Sequence, residues 1–561
     1  MPTQPAGPFS LLDWSIVAAY LLLTTLLGAR LAGRQATIRD FFLGGRKLPW
    51  WAICGSIIAT EISAATIVGV PTLSYAAGGN LTYLQLALGS ILARLIVAWW
   101  FVPRYYEEEI YSPYDYVGRR LGPAVKRVTT ALFMLGAVLG QGARLYITAF
   151  VLSGISGTSL SASVWLIGLF SVAWTLLGGM TTVIWTDVIQ FGVILVGALT
   201  VLACSISAVP GSLGQVVLLG AEAGKFALLD LSADPSLEYT LWAGLLAMPF
   251  LNLAAFGTDQ VMAQRMFCCR DQRDARRAII WSSLGLVIPV VMLGVGIALY
   301  AYFRHHPPTA HEAGLLARDK TYLLPLFIVR ALPVGIRAVI VAAIFAAAIS
   351  TLDGALTALA QTSLAPVLRW TGRPAPTDGG EAAGSGAVAV SKLLTILWGV
   401  ALCLMALACV PIAGNYRNVI DLALGLSGYL YGPLLGIFLL AFLGTGRDDA
   451  GLVWAVPLSV LCIFGISAHH AVADGVVWGG AGVAAVLGVV SLRGGRVLVV
   501  AGAAAMIVGL HHLPLGVDEA GRAKHLAFTW TYPIGTIMAL AVAWLVGRRR
   551  PSSPPAQENA R

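Results

Sequence analysis

The chain has 561 residues, 58% hydrophobic and only 11% charged, with a formal net charge of +9 and a mean hydropathy of +0.81. That composition is a polytopic membrane protein's, and basic loops beside an anionic leaflet account for the charge without a nucleic-acid partner. The seven cysteines are scattered apart from Cys268–Cys269 and show no zinc-ligand spacing, so they read as small apolar residues.

Apolar runs of about 20 residues, enough to cross roughly 30 Å of hydrocarbon as helix, recur along the chain and lack the alternation of a barrel. In chain order they predict about fifteen helical spans: Leu11–Leu31, Trp50–Leu73, Leu81–Val102, Ala124–Gly154, Ser161–Leu177, Val183–Ala208, Leu241–Gly257, Ala278–Tyr302, Val334–Leu364, Val388–Val410, Val419–Leu443, Gly451–Ala468, Val472–Leu492, Val497–Leu510 and Leu526–Val546. The N-terminus has neither a basic n-region nor a cleavage site, so the first span is expected to be retained. Thr371–Gly386 reads as a Gly/Pro/Ala linker and Pro551–Arg561 as a disordered tail.

Basic residues set the expected orientation. The first connection carries Arg30, Arg34, Arg39, Arg46 and Lys47. The third carries Arg104, Arg119, Arg120, Lys126 and Arg127. The seventh carries Arg265, Arg270, Arg273, Arg276 and Arg277, and the tail Arg548, Arg549 and Arg550. All fall on one side, which the positive-inside rule makes cytoplasmic; Glu222, Asp230 and Asp234 fall on the other. An odd number of spans then leaves the N-terminus outside and the C-terminus inside.

Five ionisable residues, Glu61, Arg94, Arg144, Asp187 and Asp353, lie inside apolar segments. A charge at the centre of a membrane helix costs roughly 2.5–3.5 kcal/mol on insertion scales, and such residues commonly mark an ion or substrate path. If all five are ionised they sum to one net negative charge, which one sodium would neutralise. His305–His306, His469–His470 and His511–His512 lie at span ends or in loops, with no catalytic or metal pattern, so no enzyme is expected.

Five stretches carry a family likeness: Phe41-Phe42-Leu43-Gly44-Gly45-Arg46 with Pro49-Trp50-Trp51 and Ser56 to Ala64; Gly178-Gly179 with Trp185-Thr186-Asp187-Val188-Ile189-Gln190; Asn252 with Gly257-Thr258-Asp259-Gln260 and Gln264-Arg265; Ala347 with Ser350-Thr351-Leu352-Asp353; and Ser427-Gly428-Tyr429 with Tyr431-Gly432-Pro433. In this order the chain resembles the sodium:solute symporter family, over roughly Asp13 to Leu443. The resemblance implies an all-α membrane fold with an inverted five-plus-five helix repeat, LeuT-like. Residues 1–48 would hold the first span and its connection, 49–444 the transport core, 445–547 peripheral helices and 548–561 a cytoplasmic tail. The first helix of each repeat, Trp50–Leu73 and Leu241–Gly257, would be broken near the midplane. Gly55, Ser63 and Gly69 are compatible with a break in the first, and Pro249 and Asn252 in the second.

The resemblance implies Na+ as coupling ion, held by the carbonyls of Ala59, Ile62 and Ala347 and the hydroxyls of Ser350 and Thr351, with no organic cofactor. Ala347, Ser350 and Thr351 share one helix face by spacing. Ser350 and Thr351 also suit bonds back to their own helix. Topology places Asp187 and Asp353 at similar depth, which suggests a second cation or a shared proton; Asp187 could instead cap its helix. Glu61, Ser63, Thr66, Gln85, Arg144, Asn252 and Phe256 would surround the substrate. The arginine matching Arg144 meets a carboxylate in sialic-acid-type members, a task suited to the planar guanidinium fork. Ala255 stands where galactose-type members have a tyrosine, so sugar chemistry does not carry over. Glu61 could neutralise Arg144, bind an amine or carry a proton, or an internal pair with Arg144 or Arg94 could simply order the helices. The expected function is sodium-driven symport of a small polar, carboxylate-bearing solute through the lipid bilayer, in a bacterial inner membrane. Proton coupling and solute sensing are the alternatives.

Overall fold

The computed structural model describes residues 9–31, 38–108, 110, 112–177, 179–372, 385–413, 419–444, 449–467, 471–491, 495–511, 516–517 and 523–546. Most of the Thr371–Gly386 linker, Gly178, Arg34, His469–His470, His512 and the tail from Gly547 lie outside the described residues. Among the described residues, eight helices are long and apolar enough to cross a membrane, nine if the bent pair Trp50–Glu61 and Ala64–Tyr75 is one span, and six shorter apolar helices of 10–17 residues accompany them. Among the described residues, strand pairing is limited to the antiparallel pair Gly516–Val517 with Ala523–Lys524 and an isolated bridge between Leu48 and Cys269.

The chain divides into two compact units. The first comprises Met1–Ser112 and Met134–Ser427, the second Pro113–Phe133 and Gly428–Arg561. The second therefore begins inside the stretch expected to form the core, at Gly428, and also takes in Pro113–Phe133. Within it Tyr114 packs edge-on against Phe438, and the Thr536 hydroxyl donates to the Gly432 carbonyl at 3.0 Å.

In the first unit the Leu11–Leu31 helix starts with a reciprocal cap: Ser10 N donates to Asp13 Oδ2 at 2.9 Å, and Asp13 N to Ser10 Oγ at 3.3 Å. Asp13 also receives Gly335 N at 2.8 Å and Arg337 Nε at 2.6 Å, joining this helix to the start of Ile336–Trp370. Helices approach closely where side chains are missing. A Cβ on Gly89 would stand 2.4 Å from the Gly244 carbonyl oxygen, and one on Gly197 2.4 Å from the Ala343 Cβ. Small residues at such crossings let dispersion and backbone contacts replace the hydrophobic drive that lipid removes.

Of the two helices expected to be broken, the first is interrupted inside its predicted span and the second only beyond it. The first splits at Ile62–Ser63, where its two halves bend by 59°. The second winds through π turns at Ala243–Ala247 and Ala254–Thr258, with Met248–Leu253 α-helical between them. Pro249 and Asn252 thus lie within continuous helix. The break falls at Asp259, extended at φ −73° and ψ 129°, whose carboxylate caps Val261 N before Gln260–Phe267 begins. Serine and aspartate favour such positions because each accepts from the orphan N–H groups of a helix start.

Candidate functional site

The first break exposes backbone oxygens. Trp50–Glu61 ends as Ile62 N donates to the Ile58 carbonyl at 3.1 Å, and Ile62 (φ −81°, ψ 110°) and Ser63 (φ −103°, ψ 170°) are extended. The carbonyls of the last turn therefore lack helical N–H partners. The Ile336–Trp370 helix meets this junction. The Thr351 hydroxyl lies 3.3 Å from the Thr60 carbonyl and donates to the Ala347 carbonyl at 2.8 Å, while Ser350 Oγ lies 3.4 Å from Thr60 Oγ1. Ala59 and Ile62 flank the same point, so all five residues expected at the ion position come from the two segments that meet here.

Asp187 is buried, two turns inside Met180–Ser207, and is not the cap of that helix, which starts after Gly179. Its Oδ1 accepts from Ser350 at 2.5 Å. Its Oδ2 accepts from Ser56 at 2.5 Å and from Arg265 Nη2 at 3.0 Å. Arg265 was counted among the cytoplasmic loop residues; instead it is 0% exposed, and it also donates to Ser56 Oγ and the Val261 carbonyl, both at 2.9 Å. The guanidinium needs Gly354, where a Cβ would stand 2.7 Å from Nη2. Positive-inside counting put Arg265 in a loop because it lies among four other arginines; its burial depends on a carboxylate 78 residues away in sequence.

Asp353 is equally buried but meets no arginine within ion-pair distance among the described residues. Its Oδ1 accepts from Thr175 Oγ1 at 3.1 Å. Glu61, partly exposed, pairs with the fully buried Arg94. Arg94 is held in turn by Ser282 Oγ at 3.0 Å and Ser90 Oγ at 2.5 Å, with the Phe256 ring 4.2 Å from its guanidinium carbon. Of the pairings weighed for Glu61, the structure forms the one with Arg94. Arg144 is half-buried, and no carboxylate pairs with it among the described residues.

The remaining expected substrate residues divide. Ser63 is the N-cap of Ala64–Tyr75 with no side-chain cap bond, and Thr66 is half-buried in its first turn. Asn252 Nδ2 donates to the Met248 carbonyl at 2.9 Å. Gln85 is engaged elsewhere: Nε2 donates to the Tyr239 carbonyl at 2.9 Å and Oε1 accepts from Asp230 N at 3.2 Å, fastening the 223–242 loop. In that loop the Lys225 ammonium donates to the Tyr75 and Ala76 carbonyls at 3.1 and 2.5 Å. Burial, then the Lys320 charge, lowers its pKa below the usual lysine range.

Residues 41–456 match the model of the sodium:solute symporter family. The chain is 29% identical to the human sodium/iodide cotransporter over 452 residues, covering 79% of this chain and 68% of that protein. It is 26% identical to the sodium/sialic acid symporter of Proteus mirabilis over 459 residues, covering 81% and 89%. A solved Na+-coupled sialic acid symporter, substrate-bound and outward-open, superposes with a TM-score of 0.75 at 22% identity, covering 96% of this chain and all of the other.

Proposed function

Since the chain belongs to the sodium:solute symporter family, we propose that it is a secondary active transporter that couples sodium entry to import of a small anionic solute by alternating access. It is an integral membrane protein whose named relatives are transporters, not enzymes. The observation that carries the reading is the helix break at Ile62–Ser63 facing Ser350 and Thr351. Carbonyl ends of broken helices and hydroxyls replace sodium's hydration water. Ala59, Ile62, Ala347, Ser350 and Thr351 would hold the ion, inside a LeuT-like five-plus-five repeat.

Two features favour an anion. The Ala64–Tyr75 helix presents its N-terminus at the break, with the Ser63 hydroxyl not used in capping, and such ends attract negative charge. Arg144 carries a guanidinium that no carboxylate among the described residues neutralises, whereas Glu61 is already matched by Arg94. Iodide and sialic acid, in the names of the two relatives, are both anions. Glu61, Ser63, Thr66, Asn252 and Phe256 would complete the pocket, while Gln85 would act through the loop it fastens. A second cation or proton would be held in the Asp187–Asp353 region. The N-terminus would face outside and the C-terminus the cytoplasm, in a bacterial inner membrane.

The test is uptake into proteoliposomes of an anion chosen by its sodium-dependent stabilisation of the purified protein. An inward sodium gradient should drive accumulation, and an equal proton gradient without sodium should not. Accumulation driven equally well by protons alone would reject sodium coupling.

A further inference from the structure

Two long helices of the first unit change from apolar to basic at a shared border. On Thr82–Glu107 the exposed residues Leu92, Leu95 and Trp99 recur at helical spacing along one face, and Arg104 follows them. On Gln272–His305 the order is reversed: Arg273, Arg276 and Arg277 come first, and the exposed Trp281, Leu284 and Val287 follow. The two run side by side. Gln272–Trp281 packs against Val97–Phe101 and Val102–Glu107, and Ser282–Leu286 packs against Leu86–Ile96. At the border the Arg276 guanidinium carbon lies 4.8 Å from the centroid of the Trp99 ring, which is 63% exposed.

The arginines at this border are not matched by carboxylates. Arg277 lies 3.9 Å from Asp274, whereas Arg273 and Arg276 make no ion pair among the described residues. Asp271 is spent as the cap of the same helix, accepting from Asp274 N at 2.8 Å. Arg104 and Arg270 offset Asp271 and the exposed Glu107, so the face keeps an excess of positive charge. Arg276 is held by the Trp99 ring rather than by hydrogen bonds, and its Nε is enclosed without an acceptor. A cation over an indole face keeps its charge and its N–H edge for a further partner.

The chemistry of that partner follows from the surface. Exposed Leu, Val and Trp side chains on two adjoining membrane helices are covered by acyl chains, and exposed tryptophans favour the interface between chains and headgroups. Arg273, Arg276 and Arg277 share one helix face, just beyond the apolar stretch, at the level where a lipid phosphate lies. Guanidinium groups bind phosphate oxygens through paired N–H bonds. A zwitterionic headgroup would bring an ammonium group toward the unmatched arginines and be repelled, whereas an anionic headgroup would not. A soluble anion would satisfy the arginines and leave the apolar faces unused.

We propose that this border is a binding site for one anionic glycerophospholipid. Its phosphate would meet Arg273 and Arg276, with Arg276 oriented by the Trp99 ring, and its chains would lie over Leu92, Leu95, Trp281 and Leu284. The site is independent of the transported solute and of sodium coupling. It lies at the ends of the two segments that Arg94 joins within the protein by donating to Ser282 Oγ at 3.0 Å.

The experiment is titration of the purified, delipidated full chain with phosphatidylglycerol or phosphatidylcholine of identical chains. Native mass spectrometry counts bound lipid, and thermal unfolding reads the stabilisation that a ligand of the folded state confers. The wild type should bind phosphatidylglycerol on the order of tenfold more tightly than phosphatidylcholine, and glycerol 1-phosphate should not compete. Arg273→Gln combined with Arg276→Gln should weaken phosphatidylglycerol binding on the order of tenfold or more and leave phosphatidylcholine unchanged. Trp99→Leu keeps the apolar face but removes the ring beneath Arg276, and should weaken phosphatidylglycerol alone, by less. Arg30→Gln with Arg369→Gln removes two exposed arginines elsewhere in the first unit and should change neither affinity. Unfolding without lipid confirms that each variant is folded. Equal affinity for the two lipids, or unchanged phosphatidylglycerol binding in both the arginine pair and Trp99→Leu, overturns the proposal. An equal loss in the control pair would show diffuse surface charge instead of a site, and protection by glycerol 1-phosphate as strong as by the lipid would show a soluble-anion site; either result overturns it.

Discussion

Arg265→Met removes the guanidinium from Asp187 and keeps a side chain of similar length. The wild-type pair is almost wholly buried, at 0% and 1% side-chain exposure, with the donor and acceptor 3.0 Å apart. After the change Asp187 retains the Ser56 and Ser350 hydroxyls at 2.5 Å but no positive charge. Leaving one member of a buried pair uncompensated costs about 3–5 kcal/mol, a large fraction of a typical stability margin of about 5–15 kcal/mol. Asp187→Asn combined with Arg265→Met removes both charges and should recover at least about 2 kcal/mol of that loss, since residues in one network couple by roughly 0.5–3 kcal/mol. Sodium should stabilise Arg265→Met more than wild type, because a cation near Ser350 takes over the neutralising role. Equilibrium unfolding in mixed micelles, with sodium or choline, measures all three quantities. If the double variant loses the sum of the two single losses and sodium does not discriminate, Arg265 is not the counter-ion that Asp187 depends on.

Ser350→Ala and Thr351→Ala should each raise the sodium concentration for half-maximal uptake, by a factor of roughly 3–10 for one lost oxygen ligand; unchanged half-saturation in both would remove these hydroxyls from the ion site. Arg144→Gln should abolish uptake while leaving unfolding close to wild type, because no internal carboxylate depends on this arginine; normal solute affinity in the purified variant would make it structural. Gly354→Ala should destabilise by about 1–3 kcal/mol, since the new Cβ stands 2.7 Å from the Arg265 guanidinium, and Arg265→Met should relieve that cost; an unfolding midpoint equal to wild type would refute the contact. Gln85→Ala should speed proteolysis of the 223–242 loop with little change in solute affinity; a large affinity loss without faster cleavage would return Gln85 to the substrate site.

Much of the site's composition was legible in the sequence, because ionisable residues in apolar segments and the stretch from Ser56 to Ala64 stand out against their surroundings. The site's partnerships were not. Arg265 looked like one more loop arginine, because the carboxylate it serves lies 78 residues away in sequence.

The sequence by itself determined the membrane setting, the first helix to its ends at Leu11 and Leu31, the interruption near Ser63 and the family. These follow from hydropathy, length and local capping chemistry, which act over a few turns. Only the tertiary structure decided which arginine serves which carboxylate. Those choices join residues 33, 78 and 324 positions apart, at Glu61–Arg94, Asp187–Arg265 and Asp13–Arg337. A helix apolar all round carries almost no record of which face turns inward, so its rotation, and with it the direction of each charged side chain, is set by packing against neighbours brought from distant parts of the chain.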